Sequence, residues 1–448
     1  MFLFIFWVVL IVIFERAVSD NIWLFITLRW LNKNGKSLHL GIHKSCVNFI
    51  LIIPVLREQK VLAKTIDHFE KFHYNLKKIK IIIVSTEKEF VGEIKKGRST
   101  IDLINKIKEK KNREHGFDLI EHLHYPKTDG KLVDQLNFAF RHILSRKIDF
   151  KNTFIGIYNA DSKPDLYTLD YISENSQEKN HDIFQQSALY FDNFKDLETG
   201  RSFIEEKILK ANAVLQTRWT LAHELPRMKR QSFFINKYGS RFSLAHVVGH
   251  GLFLRMSLIE ELKKIPDDTV NEDLFFGYIL SLLKKPINPV PLLESAETPN
   301  GFLNSLKQKY VWFFGPLEYL DYRKYFLKSF PNRAKDRAAA DWLSLQGLIS
   351  AAAWFFSGWM MLYIIIYPLA VSDVRLFLLA LGVFFIYGPL SYFIITVKYG
   401  MKTTDRFWLP FMSLPVTVVH SLPPIFSVLA KLNQIITDQK PSKPKTER

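Results

Sequence analysis

The sequence is nearly devoid of cysteine: Cys46 is alone among 448 residues. That excludes an internal disulfide and any multi-cysteine metal centre, and its place in an apolar run points to a buried thiol. No Lys or Arg precedes the apolar stretch 1–14, and Glu15-Arg16 follows it. A secretory signal, with its basic start and small-residue cleavage site, is therefore not expected. Zinc-finger spacing and RNA-binding aromatic motifs are missing, so nucleic acid is not an expected partner. Gly249-His250-Gly251 has Leu254 where a dinucleotide fingerprint needs its third glycine. There is no tandem repeat. Carboxylates are in deficit, 44 against 61 Lys and Arg, a net charge of +17. Such a balance calls for an anionic partner, either acidic lipid or a phosphate-bearing substrate.

What is present in excess is hydrocarbon at both ends. The 14-residue apolar start is short of the roughly twenty residues a span requires. It reads as a short or tilted anchor, with residues 22–31 as an interfacial patch carrying Arg29. Near the other end, residues 342–372, 376–397 and 407–430 contain no charge. Each is long enough to cross a bilayer. The third holds Pro410, Pro415, Pro423 and Pro424 and is expected to be broken or re-entrant. Lys398, Lys402 and Arg406 place the loop before it on the cytoplasmic side, and residues preceding 342 with it. The expected organisation is an anchor and interfacial segment 1–31, a cytoplasmic domain 45–330, an interfacial linker 331–341, a membrane region 342–430 and a basic tail 431–448. The expected location is a plasma or inner membrane, crossed several times.

Between the apolar ends, strand and helix patterns alternate. Residues 47–55, 79–86, 119–125 and 153–160 read as strands, the first two as continuous apolar runs of a buried parallel sheet. Residues 58–73, 99–111 and 131–146 read as helices. Repeated βα units predict an α/β fold, a mostly parallel sheet with helices on both faces. Ligands in such sheets bind at the carboxyl ends of the strands.

Three constellations could carry chemistry. Asn159 and Asp161 alternate at a strand end, where both side chains can face one cation, or where Asp161 merely opens a turn. Asn271-Glu272-Asp273 leads into an apolar helix; it is either an N-terminal cap or a source of a general base. Gln308 and Trp312 offer an amide and an aromatic face suited to a sugar, or an interfacial cluster. His122 with His124, and His246 with His250, have zinc-like spacing but no third ligand nearby in sequence. Residues 225–231 form a basic stretch after a helix at 201–224; it reads as a solvated surface, with contact to anionic lipid as the alternative.

In this order the motifs resemble those of family 2 glycosyltransferases of the membrane-bound, cellulose-synthase-like kind. Residues 53–58, Ile-Pro-Val-Leu-Arg-Glu, resemble the opening strand-turn of that family. Residues 130–137 resemble its donor-lining segment, Asn159-Ala160-Asp161 its DxD motif, and residues 248–255 its glycine-containing strand. Asn271-Glu272-Asp273 resembles TED, and Gln308 and Trp312 match the ends of QxxRW. The resemblance implies a GT-A fold and transfer of a sugar, with inversion, from a nucleotide-sugar donor, a UDP-sugar first, to a glycan or lipid-linked acceptor. It implies Asp273 as base with Glu272 beside it, and Asp161 holding Mg2+ or Mn2+ on the diphosphate. Pro54, Glu58, Glu87, Lys131 and Asn159 would line the donor, and Gln308, Trp312 and His250 the diphosphate and acceptor. Membrane lipids complete the expected partners. The chain departs from the pattern at Asn159, at Ser85-Thr86-Glu87 where an aspartate usually reads the base, and at Val311 where the motif has arginine. Glu87 or Glu89 would then read the base, and Lys309 or a nearby arginine would replace the missing charge. Those departures also motivate the rival reading, a non-catalytic membrane scaffold that keeps the fold.

Overall fold

The computed structural model describes residues 1–38, 47–91, 99–179, 181–198, 200–266, 269–331 and 336–437. Cys46 and most of the basic tail lie outside the described residues. The chain forms two compact units: a sheet unit of residues 31–187 and 228–295, and a helical unit of residues 1–30, 188–227 and 296–448. The units do not follow the linear boundaries expected at 45 and 330, because each is assembled from separate stretches of chain.

The strands are β1 (Asn48–Pro54), β2 (Ile79–Thr86), β3 (Ile120–Tyr125), β4 (Thr153–Ile157), β5 (Ile183–Gln185), β6 (Ala188–Leu189), β7 (Leu252–Arg255), β8 (Asn288–Pro289) and β9 (Glu294–Ser295). Seven form one sheet in the order β3-β2-β1-β4-β7-β5-β8. β1 pairs in parallel with β2 and β4, and β2 with β3. β7 runs antiparallel between β4 and β5. This is the mostly parallel sheet of an α/β fold that the alternating strand and helix patterns predicted. The central strands are apolar on both faces, as β1's run of six buried residues shows, because helices cover the sheet. Phe49, Phe154, Tyr158 and Phe253 interlock across β1, β4 and β7 with ring centroids 5.7–6.2 Å apart.

The helices of the first part are α1 (Phe2–Leu38), α2 (Leu62–Phe69), α3 (Thr100–His115), α4 (Leu132–Leu144), α5 (Thr168–Glu178), α6 (Phe203–Trp219), α7 (Leu225–Tyr238), α8 (Met256–Leu262) and α9 (Glu272–Leu282). α3 begins with a capping box from Ser99 and ends at Gly116 in the left-handed conformation (φ 72°), start and stop signals written in the sequence. The expected helix 201–224 ends in a π-turn over Thr220–Glu224, which leads directly into α7. Residues 225–231 are thus helical, with Met228 and Gln231 fully buried and Lys229 held near pKa 8 by burial. Arg230 is exposed and Arg227 and Lys229 are partly exposed, so the basic side chains keep the surface position expected from their charge while the other side of the helix is buried.

The rest of the chain is helical: α10 (Phe302–Leu317), α11 (Tyr319–Ser329), α12 (Arg337–Ala370), α13 (Val374–Tyr387), α14 (Pro389–Lys398), α15 (Thr403–Phe411), α16 (Ser413–His420) and α17 (Pro423–Thr437). Four segments are long and apolar enough to cross a membrane: Phe2–Gly35, Arg337–Ala370, Val374–Lys398 and Ser413–Thr437. The N-terminal segment, expected as a short anchor followed by an interfacial patch, is one 37-residue helix. Glu15 and Arg16 do not interrupt it, since a long helix satisfies its own backbone whatever its side chains. The third C-terminal run is broken, as its prolines predicted, into α15, α16 and α17. Phe6, Leu10, Ile13 and Ala17 of α1 form a core with Met361, Ile364, Ala380 and Val383 of α12 and α13.

Candidate active site

Within the sheet unit, the candidate donor residues gather around the carboxyl ends of β1 and β2. Pro54 closes β1 opposite Val84. Gln135, buried on α4, donates to Val55 O and Val84 O at 3.2 and 3.3 Å. It thereby fixes the 130–137 segment to both strand ends. Lys131 is the exposed residue before α4, and its backbone N–H donates to Asp134 Oδ2 at 2.6 Å. Glu58 is half-buried, with its N–H on Thr100 Oγ1.

The two glutamates after β2 have separate jobs. Glu89 is buried, and it accepts from Arg57 N, Thr100 N, Thr100 Oγ1 and Gln59 Nε2. Its carboxylate is consumed in tying the loop after β1, where Arg57 is left-handed (φ 59°), to the start of α3. It is therefore not free to read a base. Glu87 is 42% exposed, and its Oε2 accepts from His124 Nε2 at 2.7 Å. His124 Nδ1 and His122 Nε2 both meet Ser85 Oγ, at 2.8 and 2.7 Å. A carboxylate accepts only, so His124 donates its Nε2–H to Glu87 and its Nδ1 accepts from the serine. Ser85 Oγ then accepts from His122. The two histidines meet one hydroxyl between them. Sequence reasoning missed this chain, although the alternation of His122 and His124 on a strand beside Ser85 carried the signal.

Asn159 and Asp161 leave the carboxyl end of β4 in a turn closed by Asn159 N to Ser162 Oγ (3.1 Å) and Ser162 N to Asn159 O (3.2 Å). Both are partly exposed. The same strand end receives residues 249–251: Gly251 N donates to Ile157 O at 2.7 Å. Gly251 has φ 64°, and a Cβ there would stand 2.6 Å from Gln186 O. A side chain is excluded by both conformation and space. His250 between the glycines points Nδ1 at Glu294 Oε2, 2.8 Å away, with Glu294 buried. That pairing places the proton on Nδ1 and leaves Nε2 as the ring's acceptor. Tyr158 donates to Gln186 Oε1 at 2.7 Å. Gln186 and Glu294 were not picked out from the sequence, because nothing local marks them.

Glu272 and Asp273 occupy the first turn of α9 without a side-chain cap from Asn271. Asp273 Oδ1 accepts from Leu274 N at 2.8 Å, and its Oδ2 lies 3.5 Å from where a Gly249 Cβ would be. One oxygen thus serves the helix start, and the other faces the glycine loop that abuts the end of β4. Among the described residues, no three His, Cys, Asp or Glu side chains form a ready metal cage. Magnesium and manganese sites that act on phosphates characteristically take one or two protein carboxylates and let the substrate supply the rest. The lone Asp161 carboxylate with the Asn159 amide at a strand end fits that mode.

In the helical unit, Gln308 accepts from Gln216 Nε2 at 2.8 Å, and Gln216 Oε1 accepts from Thr298 Oγ1 at 3.0 Å. Trp312 is 38% exposed. Lys309 is buried, on Asn212 Oδ1 and Ser305 Oγ, and burial pushes its pKa down to about 7. It is turned into the protein and cannot stand in for the arginine missing at Val311.

The family described as Glycosyl transferase family group 2 matches residues 214–398. No curated protein matches this sequence. Among solved structures, the mannosyltransferase PcManGT from Pyrobaculum calidifontis, in complex with GDP-Man and Mn2+, aligns over 92% of this chain and 99% of its own, at 13% identity and a TM-score of 0.43. TarS 1-349 of S. aureus aligns over 80% of this chain and 93% of its own, at 11% identity and a TM-score of 0.33. Its complex with UDP-GlcNAc gives 0.35 over the same shares.

Proposed function

For a chain of the family 2 glycosyltransferase kind, we propose that the reaction is inverting transfer of a sugar from a nucleotide-sugar donor to a glycan or lipid-linked acceptor at a membrane. The observation that carries this reading is the glycine loop 249–251, which is hydrogen-bonded to the end of β4 and lies against Asp273. Asp161 follows β4, and Asp273 faces the glycine loop hydrogen-bonded to the last residue of β4. Asp273 takes the proton of the acceptor hydroxyl as that oxygen attacks the anomeric carbon, and the nucleoside diphosphate departs from the opposite face. His250, held by Glu294, orients donor or acceptor hydroxyls. Asp161 and Asn159 would hold Mg2+ or Mn2+, which when bound neutralises the leaving diphosphate. Pro54, Glu58 and Lys131 border the donor, and Glu87, made rigid by the His124–Ser85–His122 chain, takes the place of the base-reading carboxylate. A UDP-sugar is the first donor to test, with GDP- and CDP-sugars beside it.

The scaffold alternative has one structural argument, the burial of Lys309 where a diphosphate-binding cation is expected. The experiment is donor turnover by the full chain in nanodiscs, with UDP-, GDP- and CDP-sugars, with and without Mn2+, repeated on Asp273→Asn. Turnover that is lost in the variant supports transfer. Absence of turnover with every donor, or full turnover by Asp273→Asn, establishes the scaffold reading.

A further inference from the structure

The outer face of α7 carries apolar surface that neither the core nor the candidate site uses. From Met228 onward this helix belongs to the sheet unit, as do Phe242 and Lys284. Its inner face is packed: Met228, Gln231, Ser232 and Ile235 are buried. Gln231 Oε1 accepts from Ile287 N at 2.9 Å, and Ser232 donates to Asn288 Oδ1 at 2.8 Å, so α7 is fastened beside β8. A helix buried along 228, 231, 232 and 235 turns 230, 233, 234, 237 and 238 outward. Water favours polar residues at those places. The chain has Phe233, Phe234 and Tyr238 there, 51%, 40% and 60% exposed. The three rings touch one another, with centroids 5.6, 6.0 and 5.9 Å apart. Phe242, just past the helix, is also exposed.

The rings lie among cations. Lys237 is exposed, with Nζ over the Phe233 and Tyr238 rings at 5.3 and 5.2 Å. Arg230, one turn before Phe234, is exposed, and Lys229 is partly so. At the end of the helix, the Nζ of exposed Lys284 lies 3.7 Å from where a Gly239 Cβ would be. From 225 to 259 the sequence has no Asp or Glu. The next lysine, Lys285, is answered by Glu261 at 2.6 Å.

An exposed apolar cluster rimmed by polar groups marks a binding surface, and the charge decides what binds. A second copy would set the same cations face to face across a two-fold interface, and α7 has no carboxylate to answer them. An anionic bilayer surface answers rings and cations together. Phe and Tyr rings lodge at the headgroup level, while Lys and Arg stems lie along them and reach the phosphates. Each cation close to such a surface strengthens the attraction about fivefold.

We propose that Arg230, Phe233, Phe234, Lys237 and Tyr238 dock the sheet unit on an anionic lipid surface, with the rings about 5–10 Å into the headgroup boundary. The docking is independent of sugar transfer and holds for a transferase and a scaffold alike.

The test is spin-label accessibility on the full chain in nanodiscs. Cys46→Ser removes the native thiol, and Phe234→Cys or Tyr238→Cys supplies one labelling site. Both positions are exposed, so neither variant opens the core. Lys110→Cys on α3, whose native side chain is 68% exposed, is the control. Discs of phosphatidylcholine alone are compared with discs of equal parts phosphatidylcholine and phosphatidylglycerol. In the anionic discs, labels at 234 and 238 are expected to favour oxygen over an aqueous nickel quencher at least about threefold more than the label at 110. Arg230→Gln with Lys237→Gln is expected to remove most of that preference. Aqueous exposure of 234 and 238 in both compositions overturns the proposal, as does equal immersion of the label at 110. Dipolar broadening that vanishes on dilution with unlabelled protein assigns the face to a second copy and also overturns it. Immersion that is the same in neutral discs and unchanged by the double charge variant refutes the anionic requirement, and the proposal with it.

Discussion

The two units treat charge in opposite ways. In the sheet unit, the functional candidates Glu87, Asp161 and Asp273 are partly exposed carboxylates. In the helical unit, charge is sunk among helices and answered there. Lys207 and Lys210 of α6 share Asp405 of α15 at 3.0 and 3.2 Å, all three less than 8% exposed. Lys309 lies among neutral oxygens only. The difference follows from solvent. A sheet end in water can leave a carboxylate unpaired for a ligand, because water solvates it until the ligand arrives. A helical bundle with apolar flanks has no such reservoir, so an ion there is either paired or costly. A cation with only neutral partners in the bundle, such as Lys309, is therefore more telling than a partly exposed carboxylate at the sheet.

The largest effect expected is on the sheet side. Asp273→Asn should lower the transfer rate by about 10²–10⁴-fold while leaving donor affinity within about twofold. Stopped-turnover and donor-binding assays on one preparation check both halves. Chelation followed by Mn2+ titration of wild type and Asp161→Ala comes next. Metal should restore wild type and fail to restore the variant. Were Asp161→Ala fully active, the strand-end carboxylate would have no special standing and the contrast between the units would weaken.

On the helical side, Asp405→Ala leaves Lys207 and Lys210 with Glu206 as their remaining shared carboxylate, at 2.9 and 3.1 Å, and Lys210 with Glu198 at 2.7 Å. Complete loss of one partner of a buried pair costs about 3–5 kcal/mol, and with these partners kept the loss falls below that range, to be read as a lowered melting temperature in detergent. Replacing both lysines by Met in the same background should recover most of the loss. A smaller effect separates the two glutamates of the sheet unit. Glu89→Ala strands several donors and should destabilise the 57–60 and 99–102 segments by about 1–3 kcal/mol, visible as faster amide exchange there. Glu87→Ala should leave exchange unchanged and alter nucleotide preference.

The smallest effect is a slope. The folded pKa of Lys309 is about 7 against an ordinary 10.5. Below pH 7 both folded and unfolded chains carry the proton, and the folded chain bears the full burial cost. Between about 7 and 10.5 the unfolded chain binds the extra proton, so stability rises with pH. The rise is at most about 1.4 kcal/mol per unit. Lys309→Met should lack this rise in melting curves taken from pH 7 to 10. An identical slope in the variant would mean that the ammonium is solvated after all.

What the sequence carried by itself was whatever is local or periodic. Apolar runs of β length placed β1 and β2, the capping signals of Ser99 and Gly116 bounded α3, and uncharged runs marked the three C-terminal membrane candidates. The motifs at Asn159-Ala160-Asp161 and Asn271-Glu272-Asp273 were legible because each is a short string at an element's edge. Tertiary structure alone decided the rest, because it depends on which distant residues meet. It turned Glu89 inward to cap α3 while leaving Glu87 outside, two residues apart in one loop. It joined His250 to Glu294 across 44 residues, and Asp20 to Arg218 across 198. It drew Lys309 into the protein, although a lysine in that motif reads as a free cation. Propensity and pattern act over a few residues, whereas burial and charge pairing act between whichever side chains the packed chain brings within a few ångströms.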